Sequence, residues 1–122
     1  MVGRVRGNAY AAGAIVLKAA EALQRVFEVR RGGADATAPA ALADVEVNQA
    51  VTVVTNLVLE ATTGLFDALG ASAVKEGLGL DRYWRNARTI ASHNPRIYRD
   101  RIVGAFAVNG TAPPREYRVG SA

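Results

Sequence analysis

The sequence predicts an all-α fold, an antiparallel bundle of helices. Apolar residues recur three or four positions apart over most of the chain, which is the helical period. The segment between Pro39 and Gly70 is too long for a strand, since strands rarely exceed about ten residues. The periodic segments are separated by short clusters of Gly, Pro and Asn, and helices joined by short turns form bundles. Half of the 122 residues are hydrophobic, so a core can form, although a domain of this size buries only roughly 65% of the surface its unfolded chain exposes.

The first helix is expected over Gly7–Arg30. Val16, Ala19/Ala20, Leu23 and Val26/Phe27 mark its apolar side, and the segment is rich in alanine, the best helix former. Arg30 and Arg31 place cations in the last turn, and Gly32-Gly33 close it. Asp35, Thr37 and Pro39 make residues 34–41 the one clear linker. A long second helix is expected from about Ala40 to Leu69, with Val47, Val51, Val54, Val58, Ala61, Leu65 and Leu69 as its stripe. No charge occurs between Glu46 and Glu60. The other face instead carries Asn48, Gln49, Thr52, Thr55, Asn56, Thr62 and Thr63. Neutral polar residues in place of Glu, Lys and Arg point to a face packed against protein or ligand; a plain polar surface is the alternative.

Gly70 to Gly79 reads as a glycine-bounded connection with a short turn at residues 72–76. A third helix follows over about Leu80–Ser92, with Tyr83, Trp84, Ala87 and Ile90/Ala91 as its apolar side and Asp81–Arg85 as an i,i+4 pair. Asn94 can cap the fourth helix, with Pro95 at its first position. That helix reaches about Val108, with Tyr98, Ile102 and Ala105/Phe106 turned inward, and Asn109-Gly110 ends it. Residues 1–112 thus form the bundle, and 113–122 an extended or disordered tail.

Composition narrows the function classes. Cysteine is absent, which excludes disulfides and thiolate metal sites and fits a cytoplasmic protein. His93 is the only histidine, and no metal site is expected. The apolar stretch from Ala9 to Leu23 is broken by Lys18 and Glu21, so neither a secretory signal nor a membrane span is read there. Net charge is +4, and Arg82, Arg85, Arg88, Arg96, Arg99 and Arg101 cluster late in the chain. Such a cluster admits an anionic ligand or a plain solvated face. Asp81 and Asp100 interrupt it and no helix-turn-helix pattern accompanies it, which argues against nucleic acid.

At the third helix the sequence becomes specific. Gly79-Leu80-Asp81-Arg82-Tyr83-Trp84-Arg85-Asn86-Ala87-Arg88-Thr89 resembles a C-terminal motif of the acyl-CoA dehydrogenase superfamily, in its flavin-dependent monooxygenase branch. Dibenzothiophene monooxygenase and the oxygenase component of 4-hydroxyphenylacetate hydroxylase belong to that branch. Leu65-Phe66-Asp67-Ala68-Leu69-Gly70-Ala71 also matches, as does Val108-Asn109-Gly110 with its following prolines. The resemblance is strong over Leu57–Pro114. The branch motif continues with two histidines and Asp-Pro. Here Ile90 stands at the first histidine position, His93 at the second, and Asn94 at the aspartate.

The resemblance implies an incomplete acyl-CoA dehydrogenase C-terminal four-helix bundle. In the superfamily this bundle follows an N-terminal helical domain and a middle β domain. Met1 aligns near the second bundle helix, so the first bundle helix and both upstream domains are expected to lie outside this sequence. A chain of this extent is expected to be inactive alone and to work by association with those domains or as a homo-oligomer. The implied cofactor is FMN or FAD, with dehydrogenase or monooxygenase chemistry. Gly70, Ala71 and Ser72 correspond to a loop that touches the flavin of a neighbouring subunit. Small residues there let backbone approach a phosphate, and Arg85 and Arg88 supply cations for it. The alternative for Arg88 is an ion pair with Glu60 or Asp67. His93 corresponds to a residue at the flavin's reactive edge, where an imidazole suits proton transfer; blind to the motif, it reads as a helix-end or solvent-facing residue. Trp84, Tyr98 and Phe106, at helical spacing, read as core rather than as stacking platforms. The alternatives are a small basic helical protein that binds nucleic acid through the late arginines, and a structural module in which the neutral face of the second helix pairs with another copy or another protein.

Overall fold

Alanine dominates what this chain buries. In the computed structural model, which describes residues 1–114, six of the eight buried hydrophobic residues are alanines and the others are Val26 and Val45. That choice follows from two long helices running close together. α1 spans Val2–Arg31 and α2 spans Thr37–Leu69. Met1 lies against Gly64, Asn8 reaches the carbonyl of Leu57, and Ala22 and Val26 cluster with Ala43 and Ala40. Position rises along α1 as it falls along α2, so the two form an antiparallel hairpin.

The seam of that hairpin repeats at alternating spacings of three and four. On α1 it runs Val5, Asn8, Ala12, Ile15, Ala19, Ala22, Val26, Val29; on α2 it runs Ala40, Ala43, Val47, Ala50, Val54, Leu57, Ala61, Gly64, Ala68. Every one of these residues is buried or half-buried. A strict three–four repeat keeps one stripe facing the partner along both helices, the pattern of a coiled-coil seam. Of the apolar side expected for α1, Ala19 and Val26 lie on the seam, and the remaining residues are displaced from it by one position. Val16, Leu23 and Phe27 are each more than half exposed, and their neighbours Ile15, Ala22 and Val26 face α2. α1 is apolar over much more than one stripe, and only the partner's position decides which stripe is covered.

Several boundaries also shift. α1 begins at Val2 and carries Gly3 and Gly7 within it, because the seam continues through Val5 and Asn8. It ends in a Schellman arrangement: the N–H of Ala34 donates to the carbonyl of Val29 and that of Gly33 to Arg30, with Gly33 at φ 76°. The linker shortens to residues 32–36, since α2 starts at Thr37 and takes Pro39 into its first turn, where a missing N–H costs nothing. Asp35 secures this start by accepting bonds from the Thr37 N–H (2.9 Å) and hydroxyl (2.7 Å).

α2 is the central helix, with α1 along one side and the later elements on the remainder. Gly70 stops it at φ 74°, ψ −175°, a conformation accessible essentially to glycine alone. Two short 3-10 turns, Ala71–Val74 and Glu76–Leu78, lead to α3 (Asp81–His93) and α4 (Arg96–Asn109). Pro95, and not Asn94, occupies the cap position of α4, and helix begins at Arg96.

α3 buries only Ala91 and α4 buries no residue. Tyr83, Trp84, Ile90 and Tyr98 are exposed and Phe106 is half-buried, so the expectation of a core position is overturned for Trp84 and Tyr98 and not for Phe106. The reason is geometric: α3 and α4 each rest on one side of α2 only. Pro113 and Pro114 lie outside any helix, and the rest of the expected tail falls outside the described residues. No strand occurs among the described residues, and no described helix is long and apolar enough to cross a membrane.

Candidate functional site

The neutral face of α2 has a partner inside the chain. Asn48, Thr52 and Asn56 lie one turn apart and meet α4 as a polar ladder. Arg99 Nη1 donates to Asn48 Oδ1 at 2.9 Å, Thr52 Oγ1 donates to Asp100 Oδ1 at 2.9 Å, and Arg96 Nη1 donates to Asn56 Oδ1 at 2.5 Å. Amides and hydroxyls suit this role because they can face both guanidinium and carboxylate groups. Two members of the late arginine cluster are thus engaged internally, and the six do not form one anion site.

The arginines of α3 are placed differently. Arg85 pairs with Asp81 at 3.0 Å across one helical turn, as expected, with both side chains largely in solvent. An exposed pair of this kind contributes little to stability. Arg82 lies 5.1 Å from the centroid of the Tyr83 ring. Its hydrogen bond to the Tyr83 hydroxyl holds its already high pKa higher still. Arg88 is exposed and makes no ion pair or hydrogen bond among the described residues. It lines an open cleft of about 500 Å³ with Trp84, Asp67, Glu60, Arg4 and Asn8. Glu60 there is bound by Arg4, so the expected alternative, an Arg88 ion pair with Glu60 or Asp67, is not formed.

His93 is the last residue of α3 and is exposed, and its side chain has no hydrogen-bond partner among the described residues. Gly70, Ala71 and Ser72 are all exposed at the start of the first 3-10 turn. Nothing lies within 4 Å of the point where a side chain on Gly70 would begin. Ser72 lines a groove of about 370 Å³ with Lys75, Leu78 and Leu80. The structure therefore places Arg88 and Ser72 in separate cavities, with Arg85 and His93 lining neither. Lys75 is a neighbour that sequence reasoning passed over. Its signal was available: it is the sole cation between Gly70 and Gly79.

Residues 1–95 match the family described as acyl-CoA dehydrogenase, C-terminal domain. The chain belongs to this family. Among relatives of this acyl-CoA dehydrogenase C-terminal domain, dibenzothiophene monooxygenase of Rhodococcus erythropolis is 36% identical over 69 residues, covering 57% of this chain and 16% of that protein. Dibenzothiophene monooxygenase of Mycolicibacterium goodii is 30% identical over 103 residues, covering 84% of this chain and 24% of that one. The solved structure of dibenzothiophene monooxygenase from Paenibacillus sp. A11-2 in complex with FMN and indole superposes with a TM-score of 0.79 at 32% identity. That superposition covers 91% of this chain and 27% of the Paenibacillus chain. The chain thus spans about a quarter or less of the length of these relatives.

Proposed function

We propose that this chain is the C-terminal, flavin-contacting part of a cytoplasmic flavin-dependent monooxygenase, inactive alone and completed by further domains or further copies. The observation that carries the reading is the state of α3. It buries only Ala91 and leaves Arg85, Arg88 and His93 exposed on a helix of the matched family. Polar groups in this number on a weakly buried helix are free to serve a ligand held by something outside the chain.

FMN is preferred to FAD. The Paenibacillus relative is described with FMN, and a relative from Pseudomonas putida, 40% identical over 55 residues, is described as a probable FMNH2-dependent monooxygenase. The donor set suits a flavin phosphate. Arg85 and Arg88 are exposed guanidiniums able to make charge-assisted hydrogen bonds. At the glycine turn, open space beside Gly70 admits a phosphate to the backbone of Ala71 and Ser72, and the Lys75 ammonium shares the Ser72 groove. Because Arg88 lines one cavity and Ser72 and Lys75 another, we assign the glycine turn to the flavin of a neighbouring subunit and the α3 face to the chain's own domain partners. Bound flavin would supply the redox chemistry. His93 would give or take a proton at its edge, with Ile90 providing an apolar contact where the motif has a second imidazole.

Flavin fluorescence tests the reading. The chain alone should leave FMN fluorescence nearly unquenched, and a version joined to its upstream domains should quench it saturably. A complete, folded version without affinity for flavin would refute the proposal.

A further inference from the structure

The two-residue turn between α3 and α4 has little to hold it in place. Asn94 (φ −115°, ψ 115°) and Pro95 (φ −55°, ψ 122°) are both extended. No side chain caps α4, and the side chain of Asn94 makes no hydrogen bond among the described residues. Pro95 has no N–H to offer. His93, immediately before this turn, is exposed and has no side-chain hydrogen bond there either. Its position must therefore be set by the nearest anchored residues on each side. Before it stands Ala91, buried at 8% exposure. After it stands Arg96, the first residue of α4, whose guanidinium donates to Asn56 on α2.

We propose that Asn56 is a positioning residue for His93. By accepting the Arg96 hydrogen bond it fixes the first turn of α4 on α2, and through the short, stiff Asn94-Pro95 link it fixes where the imidazole stands. The other rungs of the ladder, Asn48 with Arg99 and Thr52 with Asp100, act further along α4 and set the lie of the helix rather than of its start. Asn56 suits the task because it carries no charge. Its bond to Arg96 is directional, so it defines a place, whereas a carboxylate would attract either neighbouring arginine over a wide range of geometry. The proposal rests on the reading of His93 as the group that faces the flavin, but its test involves no flavin.

His93 is the only histidine, so its ring Cε1–H gives one resolved NMR signal in the full chain. Asn56→Ala, at an exposed position, is expected to move that signal by more than its line width. It should also speed amide exchange in the second turn of α4, whose N–H groups bond to the first turn, about tenfold, the loss of one hydrogen bond to a charged group. Amides along the Ala22–Ala43 seam should keep their rates. Asn56→Gln retains a neutral amide acceptor for Arg96 and should bring the signal back toward its original position. Thr52→Ala, one turn away, should leave it in place. An unmoved signal in Asn56→Ala, an equal movement in Thr52→Ala, or no recovery in Asn56→Gln would overturn the proposal. Should Asn56→Ala fail to fold, Arg96→Gln is read by the same signal. Unfolding of both would also overturn the assignment, because the bond would then be holding the bundle and not the turn. If His93 moves as expected but the completed enzyme binds no flavin, the positioning role stands and the functional reading falls.

Discussion

Replacing Ala22 by leucine tests the seam directly. Ala22 is 2% exposed and belongs to a cluster with Ala43, also 2% exposed. An isobutyl group in place of the methyl has no room between helices spaced by alanine, so it must push them apart or twist out of its rotamer. Overpacking of this kind costs about 1–3 kcal/mol. Set against a total stability of roughly 6–18 kcal/mol for a chain this long, that is a large fraction. It should lower the melting temperature by about 3–15 °C, at roughly 3–5 °C per kcal/mol for this size. The control is the same exchange two residues away. Ala20 is exposed, so Ala20→Leu should change stability by no more than about 0.5 kcal/mol. Leucine and alanine differ little in helix propensity, so intrinsic preference cannot produce the difference. Thermal melts followed by far-UV circular dichroism would compare the two variants. Equal melting temperatures, or a greater loss in Ala20→Leu, would show that the seam is assigned to the wrong stripe.

Asn48→Leu removes an acceptor of the Arg99 guanidinium from a residue only 4% exposed, and should cost about 1–3 kcal/mol in urea melts. Gly70→Ala forces a side chain into φ 74°, ψ −175° and should cost about 1–3 kcal/mol of backbone strain, seen in the same melts and in displaced amide signals of Ala71 and Ser72. Asp35 lies below its ordinary carboxylate pKa because it accepts the Thr37 hydroxyl and N–H bonds. A folded pKa lower than the unfolded one gives stability that is complete above the unfolded value and disappears as pH falls through the folded value. Asp35→Ala should therefore melt earlier than the parent at neutral pH, and the difference should close below roughly pH 4.

Which parts of this fold were legible in the sequence depends on what determined them. The helices and the glycine stops at Gly33, Gly70 and Gly110 were readable, because period and left-handed backbone preference are local properties. The Asp81–Arg85 pair was readable for the same reason. The buried side of α1 was readable only at Ala19 and Val26. Val16, Leu23 and Phe27 form as regular a stripe as Ile15, Ala22 and Val26, and a hydrophobicity pattern ranks the larger residues higher. What decides is the partner: α2 brings alanines and a glycine to the seam, and two alanine-rich stripes approach more closely than two stripes of leucine and phenylalanine could. The polar face of α2 was readable as a contact surface but not as a contact with α4, because Asn48, Thr52 and Asn56 carry no sign of which arginines they meet. For the candidate site, the motif supplied Gly70, Ala71, Ser72, Arg85, Arg88 and His93 as residues. It could not tell that Arg88 and Ser72 line separate cavities, which depends on how the two 3-10 turns carry the chain from α2 to α3.

The fold divides its anchoring unevenly, and the division bears on function. The α1–α2 hairpin holds itself by burial along two helices of thirty or more residues. α3 and α4 bury one residue between them, and α4 is tied to α2 by directional polar bonds. A net hydrogen bond contributes about 1 kcal/mol, against about 1.5–3 kcal/mol for a fully buried aliphatic side chain. Local opening should therefore begin at α3 and α4, well before the hairpin separates. These are also the helices that expose Trp84, Ile90 and Ile97 and carry Arg85, Arg88 and His93. A domain or subunit that covered them would bury the apolar surface this part lacks, and would order His93 and the arginines in the same step. Binding would then appear as slowed amide exchange in α3 and α4 with the hairpin unchanged. Protection spread evenly over all four helices would instead mean that the partner stabilises the bundle as a whole, and the α3 face would lose its claim to be the surface built for contact.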